Sequence, residues 1–203
     1  MRERTIYFIF TDTGTYLSRM INLYTNAPLN HVSIGFDYEL KEVYSFGRIN
    51  PKNPFSGGFV QEDIRGDFLK NSQCAIYAFH ITEDEYIKVR HHIKEIENRA
   101  SDYKYNFIGL IGIALKIEIR RKNAFFCSQF VATVMRDTET FKFSKPIHFV
   151  TPADIRAHSE LQLIYQGRLG DYPVHQLSEE ALELPKKSFF HIVSNKVKSF
   201  VAR

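Results

Sequence analysis

Short apolar runs separated by turn residues dominate the first eighty positions, and this pattern predicts strands. The run at 5–10 (TIYFIF) is aromatic and β-branched, as buried strands are. Two further runs, 31–37 (HVSIGFD) and 42–48 (EVYSFGR), are joined by a short polar turn and predict a β-hairpin. The remaining strands are expected at 59–64, 74–81 and 161–165.

Helical periodicity is clearest at 82–100, where apolar residues recur every three or four positions. Thr82 followed by Glu85 matches a capping box and fixes the start of this helix. Charged residues fill the opposite face, so His91 and His92 are expected to be solvated there. Other helices are predicted at 15–25, 105–119, 125–136 and 152–157, and the run at 105–119 could instead end as a strand.

The character of the chain changes near residue 176. From there, apolar residues fall on one helical face with Lys and Arg around it. We therefore divide the chain into one domain at 1–175 and a basic amphipathic helical tail at 176–203. Such a helix can make peripheral contact with an anionic membrane through 186–203, or dock on its own or a neighbouring subunit, which is the favoured arrangement.

Composition narrows the classes of function. The 203 residues are 44% hydrophobic and 25% charged, which suits one globular domain with a substantial core. No cofactor and no metal are expected, because glycine-rich nucleotide loops and Cys/His zinc spacings are absent from the sequence. The apolar run at 6–10 is too short for a signal peptide, and no run approaches a membrane span, so the cytoplasm is the expected compartment.

The net charge of +4 is mildly basic and specifies no partner by itself. The basic run KIEIRRK at 116–122 lacks the interleaved aromatic residues of nucleic-acid sites, so no nucleic acid is expected. A solvated face is the simpler interpretation of this run. Because it precedes Cys127, it could also steer an anionic substrate.

Cys127 is the strongest candidate for chemistry, since the segment NAFFCSQFVATVM places it where a helix begins. A helix N-terminus favours the thiolate form, and its free N–H groups can hold an oxyanion. The alternative is a small apolar residue in a buried helix. Cys74, at the head of a strand, is expected to be structural.

His31 is the histidine best placed to serve as a base for Cys127. It begins a strand directly after a loop that contains Pro and Asn, so its ring would be held rigidly beside an opening. The alternative is a histidine at a strand edge whose ring is solvated.

Four short motifs in this order resemble the circularly permuted branch of the NlpC/P60 papain-like superfamily, in particular the YiiX/YycO-like group. They are NHVSIGFD, VYSFGR, YNFIGL and FFCSQFVATVM, and together they span roughly 5–170. The resemblance implies an α+β papain-like fold in which a central antiparallel sheet packs against the nucleophile helix. It also implies that Cys127 and His31 form a catalytic pair.

Members of this group orient the imidazole with a third polar residue, often a Glu on the strand after the histidine. The matching stretch here is VYSFG, so Ser45 is the nearest candidate, with Glu42 or Glu62 as substitutes. A serine would orient the ring without stabilising an imidazolium by charge. The predicted substrate pocket is assigned four residues, Tyr44, Tyr105, Asn106 and Gln129, although Asn106 could instead cap the helix that follows.

The resemblance implies a cysteine peptidase or amidase acting on an amide or isopeptide bond, for example in cell-wall peptides. Two alternatives stay open at this point. Relatives that resemble lecithin:retinol acyltransferase act on lipid acyl groups, so an acylated small molecule could be the substrate. The missing carboxylate in VYSFGR also allows an inactive binding module that keeps the Cys and His.

Overall fold

A six-stranded antiparallel sheet forms the centre of the protein in the computed structural model, which describes residues 3–12, 29–49, 57–102, 104–105 and 124–173. The strands lie in the spatial order β4-β3-β2-β1-β5-β8, so β1 is central and β4 and β8 are the edges. Their bounds are β1 Glu3–Asp12, β2 His31–Gly35, β3 Val43–Arg48, β4 Gly57–Gln61, β5 Gln73–Thr82 and β8 Gln162–Arg168.

Three α-helices and one small sheet complete the described part of the chain. The helices are α1 Glu83–Asn98, α2 Cys127–Val134 and α3 Pro152–Arg156. A two-residue strand β6, Lys104–Tyr105, pairs in parallel with β7, Ala124–Phe125. Short 3₁₀ turns occur at Ala100–Asp102, Ile147–Phe149 and Leu169–Asp171. The mixed α+β class with a central antiparallel sheet is confirmed.

The predicted hairpin is confirmed, because β2 and β3 pair antiparallel with Ile34 opposite Tyr44. The strand predicted at 59–64 is wrong by two or three residues at each end, since β4 spans Gly57–Gln61. The Glu62 amide still donates to the Val43 carbonyl (2.8 Å), and the chain then turns as Gly66 N–H bonds to the Asp63 carbonyl (3.1 Å). Glu62 is therefore fixed beside β3, just beyond the end of β4.

Both faces of the sheet are buried, which explains the uninterrupted apolar run of β1. Alternate residues point to opposite faces, so Phe8 and Phe10 lie in one core and Tyr7 and Ile9 lie in the other. The first core is rich in phenyl rings and includes the buried face of α2, which packs on β2 and β3. The second core is covered by the loop that follows Glu62 and by the 3₁₀ turn after β8.

The capping box of α1 is confirmed and also anchors a distant loop. The Thr82 hydroxyl accepts from the Glu85 amide (3.2 Å), and Glu85 Oε2 accepts from the Thr82 amide (3.0 Å). Glu85 Oε1 accepts from the amides of Glu139 and Thr140 at 2.7 and 3.0 Å. Burial alone would raise the pKa of the Glu85 carboxyl, but these hydrogen bonds lower it to about 2.

Replacing Glu85 with alanine should lower the free energy of unfolding by about 2–4 kcal/mol, because buried amides lose a charged acceptor. A lowered pKa means that this stabilisation is present above the ordinary carboxyl pKa of 4.5 and is lost as pH falls towards about 2. Urea unfolding at pH 7 and pH 3 measures both effects. Asp84→Ala removes an exposed acid from the same turn and should change stability little. Equal effects of the two variants would contradict the conclusion that Glu85 anchors the loop at Glu139 and Thr140.

His92 corrects the expectation that both histidines of α1 are solvated. Its side chain is only 8% exposed, whereas that of His91 is 69% exposed. His92 Nε2 lies 2.7 Å from Asp137 Oδ2, and the Arg136 guanidinium lies 3.0 Å from Nδ1. The chain leaving α2 packs here, so this side of α1 is an internal contact.

Several predictions fall outside the described residues: the helix at 15–25, the basic run at 116–122, and the tail with its boundary at 175/176. The helix predicted at 105–119 is wrong at its first residue, because Tyr105 lies in β6, and its other residues are not among those described. None of the helices in the described ranges is both long enough and apolar enough to cross a membrane.

Candidate active site

His31 is placed by the entry of the chain into β2. Leu29 adopts the left-handed conformation with φ of 63°, an uncommon choice for a branched residue, and this bend directs the chain into the strand. His31 is the first residue of β2 and lies opposite Thr11 of β1. Its side chain is 17% exposed, so the imidazole sits near the surface on a rigid support.

Glu62 is the carboxylate beside the His31 imidazole. Its Oε1 lies 2.8 Å from His31 Nε2 and accepts from the Ser45 hydroxyl at 2.5 Å. Its Oε2 accepts from the Ser33 hydroxyl at 2.8 Å. The Glu62 side chain is 9% exposed, and Ser33 and Ser45 are fully buried. Side chains from β2, from β3 and from the residue just after β4 thus meet beside Nε2 of the imidazole.

The charges of this cluster support each other. Burial by itself lowers the pKa of His31, but the Glu62 charge, and then the hydrogen bond and charge of Cys127, raise it to about 10. Burial raises the pKa of Glu62, but the charge and hydrogen bond of His31 and the two serine hydroxyls together hold it below its ordinary value. At neutral pH the pair is therefore an imidazolium and a carboxylate.

Cys127 is the first residue of α2 and is 6% exposed. Its thiol donates to the Asn30 carbonyl oxygen at 3.8 Å, and it lies near enough to the His31 imidazole to help raise the pKa of that ring. Since Nε2 faces Glu62, the other edge of the ring is the one available to the sulfur. Phe126, the N-cap residue, has a side chain that accepts no hydrogen bond from the first-turn N–H groups of α2.

Cys74 provides an internal contrast. It lies in β5, is 2% exposed and belongs to the second core. Burial raises the pKa of its thiol to about 12, which keeps it protonated and unreactive at neutral pH. The two cysteines thus differ in the surroundings that govern thiol reactivity.

The other predicted residues are placed as follows. Ser45 contacts Glu62, whereas Glu42 lies away from the imidazole and pairs with Arg90. Tyr44 stacks on Phe59 at 5.6 Å and donates to Glu42 Oε1, so its ring and hydroxyl are both engaged.

Two pocket assignments concern residues whose side chains are not described, Tyr105 and Asn106. Gln129 follows Cys127 by two residues in α2, and its buried side-chain Oε1 has no hydrogen-bond partner among the residues that the structure describes. A buried acceptor without a partner is costly. All four pocket roles stay predictions.

The residue missed from the sequence is Ser33. It stands two positions after His31, and residues at i and i+2 of a strand face the same side. That period-2 relation was the available signal. For the residue that orients His31, the sequence offered Glu42 and Glu62 as equal substitutes for Ser45. The 2.8 Å distance from Glu62 Oε1 to His31 Nε2 identifies Glu62.

Gly47 leaves the room that the imidazole occupies. A Cβ atom on Gly47 would lie 3.2 Å from Ser45 Oγ, 3.4 Å from His31 Cε1 and 3.8 Å from Glu62 Oε1. A methyl group here would crowd the Ser45 hydroxyl and come into van der Waals contact with His31 and Glu62. Strand β3 therefore contributes the Ser45 hydroxyl and, at Gly47, the space beside the imidazole.

Gly47→Ala should weaken the contact between His31 and Glu62 and lower the pKa of His31 below about 10, because the added methyl group crowds Ser45 and reaches the imidazole. Gly35→Ala is the matched control. A Cβ there is equally crowded, at 3.2 Å from Ile9 Cδ1, but it meets a flexible apolar side chain away from Glu62. NMR titration of the His31 ring and thermal unfolding of both variants check this. Equal His31 titration in the two variants would show that Gly47 has no special relation to the site.

Within the described ranges, no group of three or more His, Cys, Asp or Glu side chains is arranged to hold a metal ion. No protein-family model and no curated protein matches the chain.

Proposed function

We propose that the protein is a cysteine hydrolase in which Cys127 is the nucleophile, His31 its acid–base partner and Glu62 the residue that orients His31. One observation carries the proposal: the imidazole lies between a thiol at a helix start and a buried carboxylate. This is the arrangement of nucleophile, base and orienting group on which covalent catalysis depends.

The reaction proceeds in two steps. The Cys127 thiolate attacks the substrate carbonyl carbon, and the carbonyl electron pair moves to oxygen, where first-turn N–H groups of α2 stabilise it. The tetrahedral intermediate collapses, the bond to the leaving group breaks, and His31 gives its proton to that group. Water then attacks the thioester carbon while His31 takes a proton from the water. The C–S bond breaks, the carboxylic acid is released, and the Cys127 thiolate and the His31 imidazolium are restored.

Glu62 keeps His31 protonated and aimed in the resting enzyme. An imidazolium with a pKa of about 10 places a positive charge beside the Cys127 sulfur in the resting enzyme at neutral pH, and a neighbouring positive charge makes a cysteine more reactive. It also makes His31 ready as an acid for the leaving group. The buried carboxylate speaks against an inactive module, since the absence of a carboxylate from VYSFGR was the reason for that alternative.

The permuted NlpC/P60-type fold is part of the proposal. Supporting it is the chain order, with the histidine strand β2 first, then β3, and then a helix that starts at the cysteine and packs on both strands. By this resemblance the substrate is a peptide or isopeptide amide, with acyl transfer of the lecithin:retinol type as the alternative. The cytoplasm stays the predicted compartment.

Selective alkylation tests the nucleophile. Iodoacetamide at pH 6–7 should modify Cys127 faster than it modifies glutathione, and peptide mapping should find Cys74 unmodified in the folded protein. Cys74→Ala should leave the rate unchanged and His31→Gln should slow it. Alkylation of Cys127 no faster than of glutathione would remove the basis of the proposal.

A further inference from the structure

Glu62 receives three hydrogen bonds through its side chain, and they divide unequally between its oxygens. Oε1 accepts from His31 Nε2 at 2.8 Å and from Ser45 Oγ at 2.5 Å. Oε2 accepts from Ser33 Oγ at 2.8 Å. Ser33 Oγ also lies 3.3 Å from His31 Nε2, so it touches both members of the ion pair.

The two serines come from different strands and fix the carboxylate in different ways. Ser45 of β3 shares an oxygen with the imidazole, whereas Ser33 of β2 holds the other oxygen. A carboxylate held at both oxygens cannot turn about its terminal bond without breaking a buried hydrogen bond. Serine hydroxyls that donate to a carboxylate also favour its ionised form.

We infer that Ser33 and Ser45 are positioning residues, which keep the Glu62 carboxylate ionised and turned so that Oε1 receives the Nε2 hydrogen of His31. The inference rests on the proposed function for its catalytic meaning. It extends that function by assigning the ionisation and the orientation of the Glu62 carboxylate to two serine hydroxyls.

A purely structural role is the alternative, in which the serines only satisfy a buried carboxylate. The two roles differ in what happens on acidification. In the described part of the chain, the largest charge effects on His31 come from Glu62 and Cys127, and the largest on Glu62 comes from His31. The Ser45 and Ser33 hydrogen bonds also lower the pKa of Glu62, so loss of either hydroxyl should make Glu62 easier to protonate.

The test follows the His31 Nε2 proton by NMR in the full-length protein labelled with ¹⁵N-histidine. A hydrogen bond to carboxylate should move this proton far downfield, and a His31→Gln variant identifies its signal. In Ser33→Ala and Ser45→Ala, the signal should disappear on acidification at a pH about 1 unit higher than in the unaltered protein. Ser33→Cys and Ser45→Cys, which keep the size and weaken the donor, replace any alanine variant that does not fold.

Thr138→Val is the matched control for losing a buried hydroxyl. Thr138 is fully buried and donates to the Met135 carbonyl at 2.7 Å, beyond the end of α2 opposite Cys127. It should lose stability without moving the Nε2 signal. Serine variants that behave like Thr138→Val would overturn the inference.

The readout does not depend on turnover. An unaltered protein that hydrolyses nothing, with Nε2 signals that shift as expected, would count against the hydrolase alone. Conversely, an active enzyme whose serine variants keep the signal in place would count against the positioning role alone.

Discussion

Cys127→Ala should abolish turnover of every substrate that the unaltered protein hydrolyses, with a loss of at least about 10⁴-fold in kcat/KM. The reason is that no other group in the described site can form the covalent intermediate. A panel of peptide amides, isopeptides, acyl esters and acylated lipids, assayed side by side, measures the loss and identifies the acyl class. The variant should still fold, because the thiol contributes little to the phenyl-rich core.

Cys74→Ala is the control for this substitution. It removes the other thiol, which is 2% exposed in the second core, and should cost stability while leaving kcat/KM unchanged. Residual turnover in Cys127→Ala at one tenth of the unaltered rate would show that the chemistry does not pass through this sulfur.

Glu62→Gln should lower kcat/KM at pH 7 by about 10²- to 10³-fold, because His31 loses the charge that keeps it protonated. Glu62 is the largest influence raising the pKa of His31 to about 10, and burial then acts against the imidazolium. The alkaline limb of the pH–rate profile should therefore move from near pH 10 to well below it. Full kinetics from pH 5 to pH 10.5 check both the size and the direction.

The same variant should change how stability depends on pH. The raised pKa of His31 means that its stabilisation is complete below pH 6.5 and is lost as pH rises through about 10. The lowered pKa of Glu62 means that its stabilisation is complete above pH 4.5 and is lost at lower pH. The difference between the unaltered protein and Glu62→Gln should thus be largest between about pH 4.5 and 6.5.

Glu42→Gln is the matched control for the carboxylate. Glu42 pairs with Arg90 and accepts from the Tyr44 hydroxyl, without contact to the imidazole. Its amide variant should keep the alkaline limb near pH 10. If the alkaline limb of the pH–rate profile shifted in Glu42→Gln and stayed near pH 10 in Glu62→Gln, Glu42 would be the orienting residue instead of Glu62.

Much of the fold could be predicted because local signals agreed with tertiary structure. The capping residues Thr82 and Glu85 fix the start of α1 from sequence alone, and the structure confirms them. β1 and the β2–β3 hairpin follow from apolar and β-branched runs. His92 was misjudged because its burial depends on Asp137, which lies 45 residues away along the chain and has no local signal.

The site was predictable in part for the same reason. Cys127 stands at a helix start and His31 at a strand start, and both positions can be read locally. The contact between Glu62 and His31 depends on where β4 ends, and strand ends are set by the turn at Asp63 and Gly66. Ser33 could not be predicted, because its role depends on a hydrogen bond to Glu62, and the sequence does not show where that carboxylate lies.

The most direct measurement is the mass of the intact protein during turnover of an acyl ester, quenched in acid on the millisecond scale. We expect a transient adduct with the mass of the acyl group, mapped by peptide digestion to Cys127 and absent from Cys127→Ala. Turnover with no adduct on this sulfur, or with an adduct on another residue, would contradict a thiol nucleophile paired with His31.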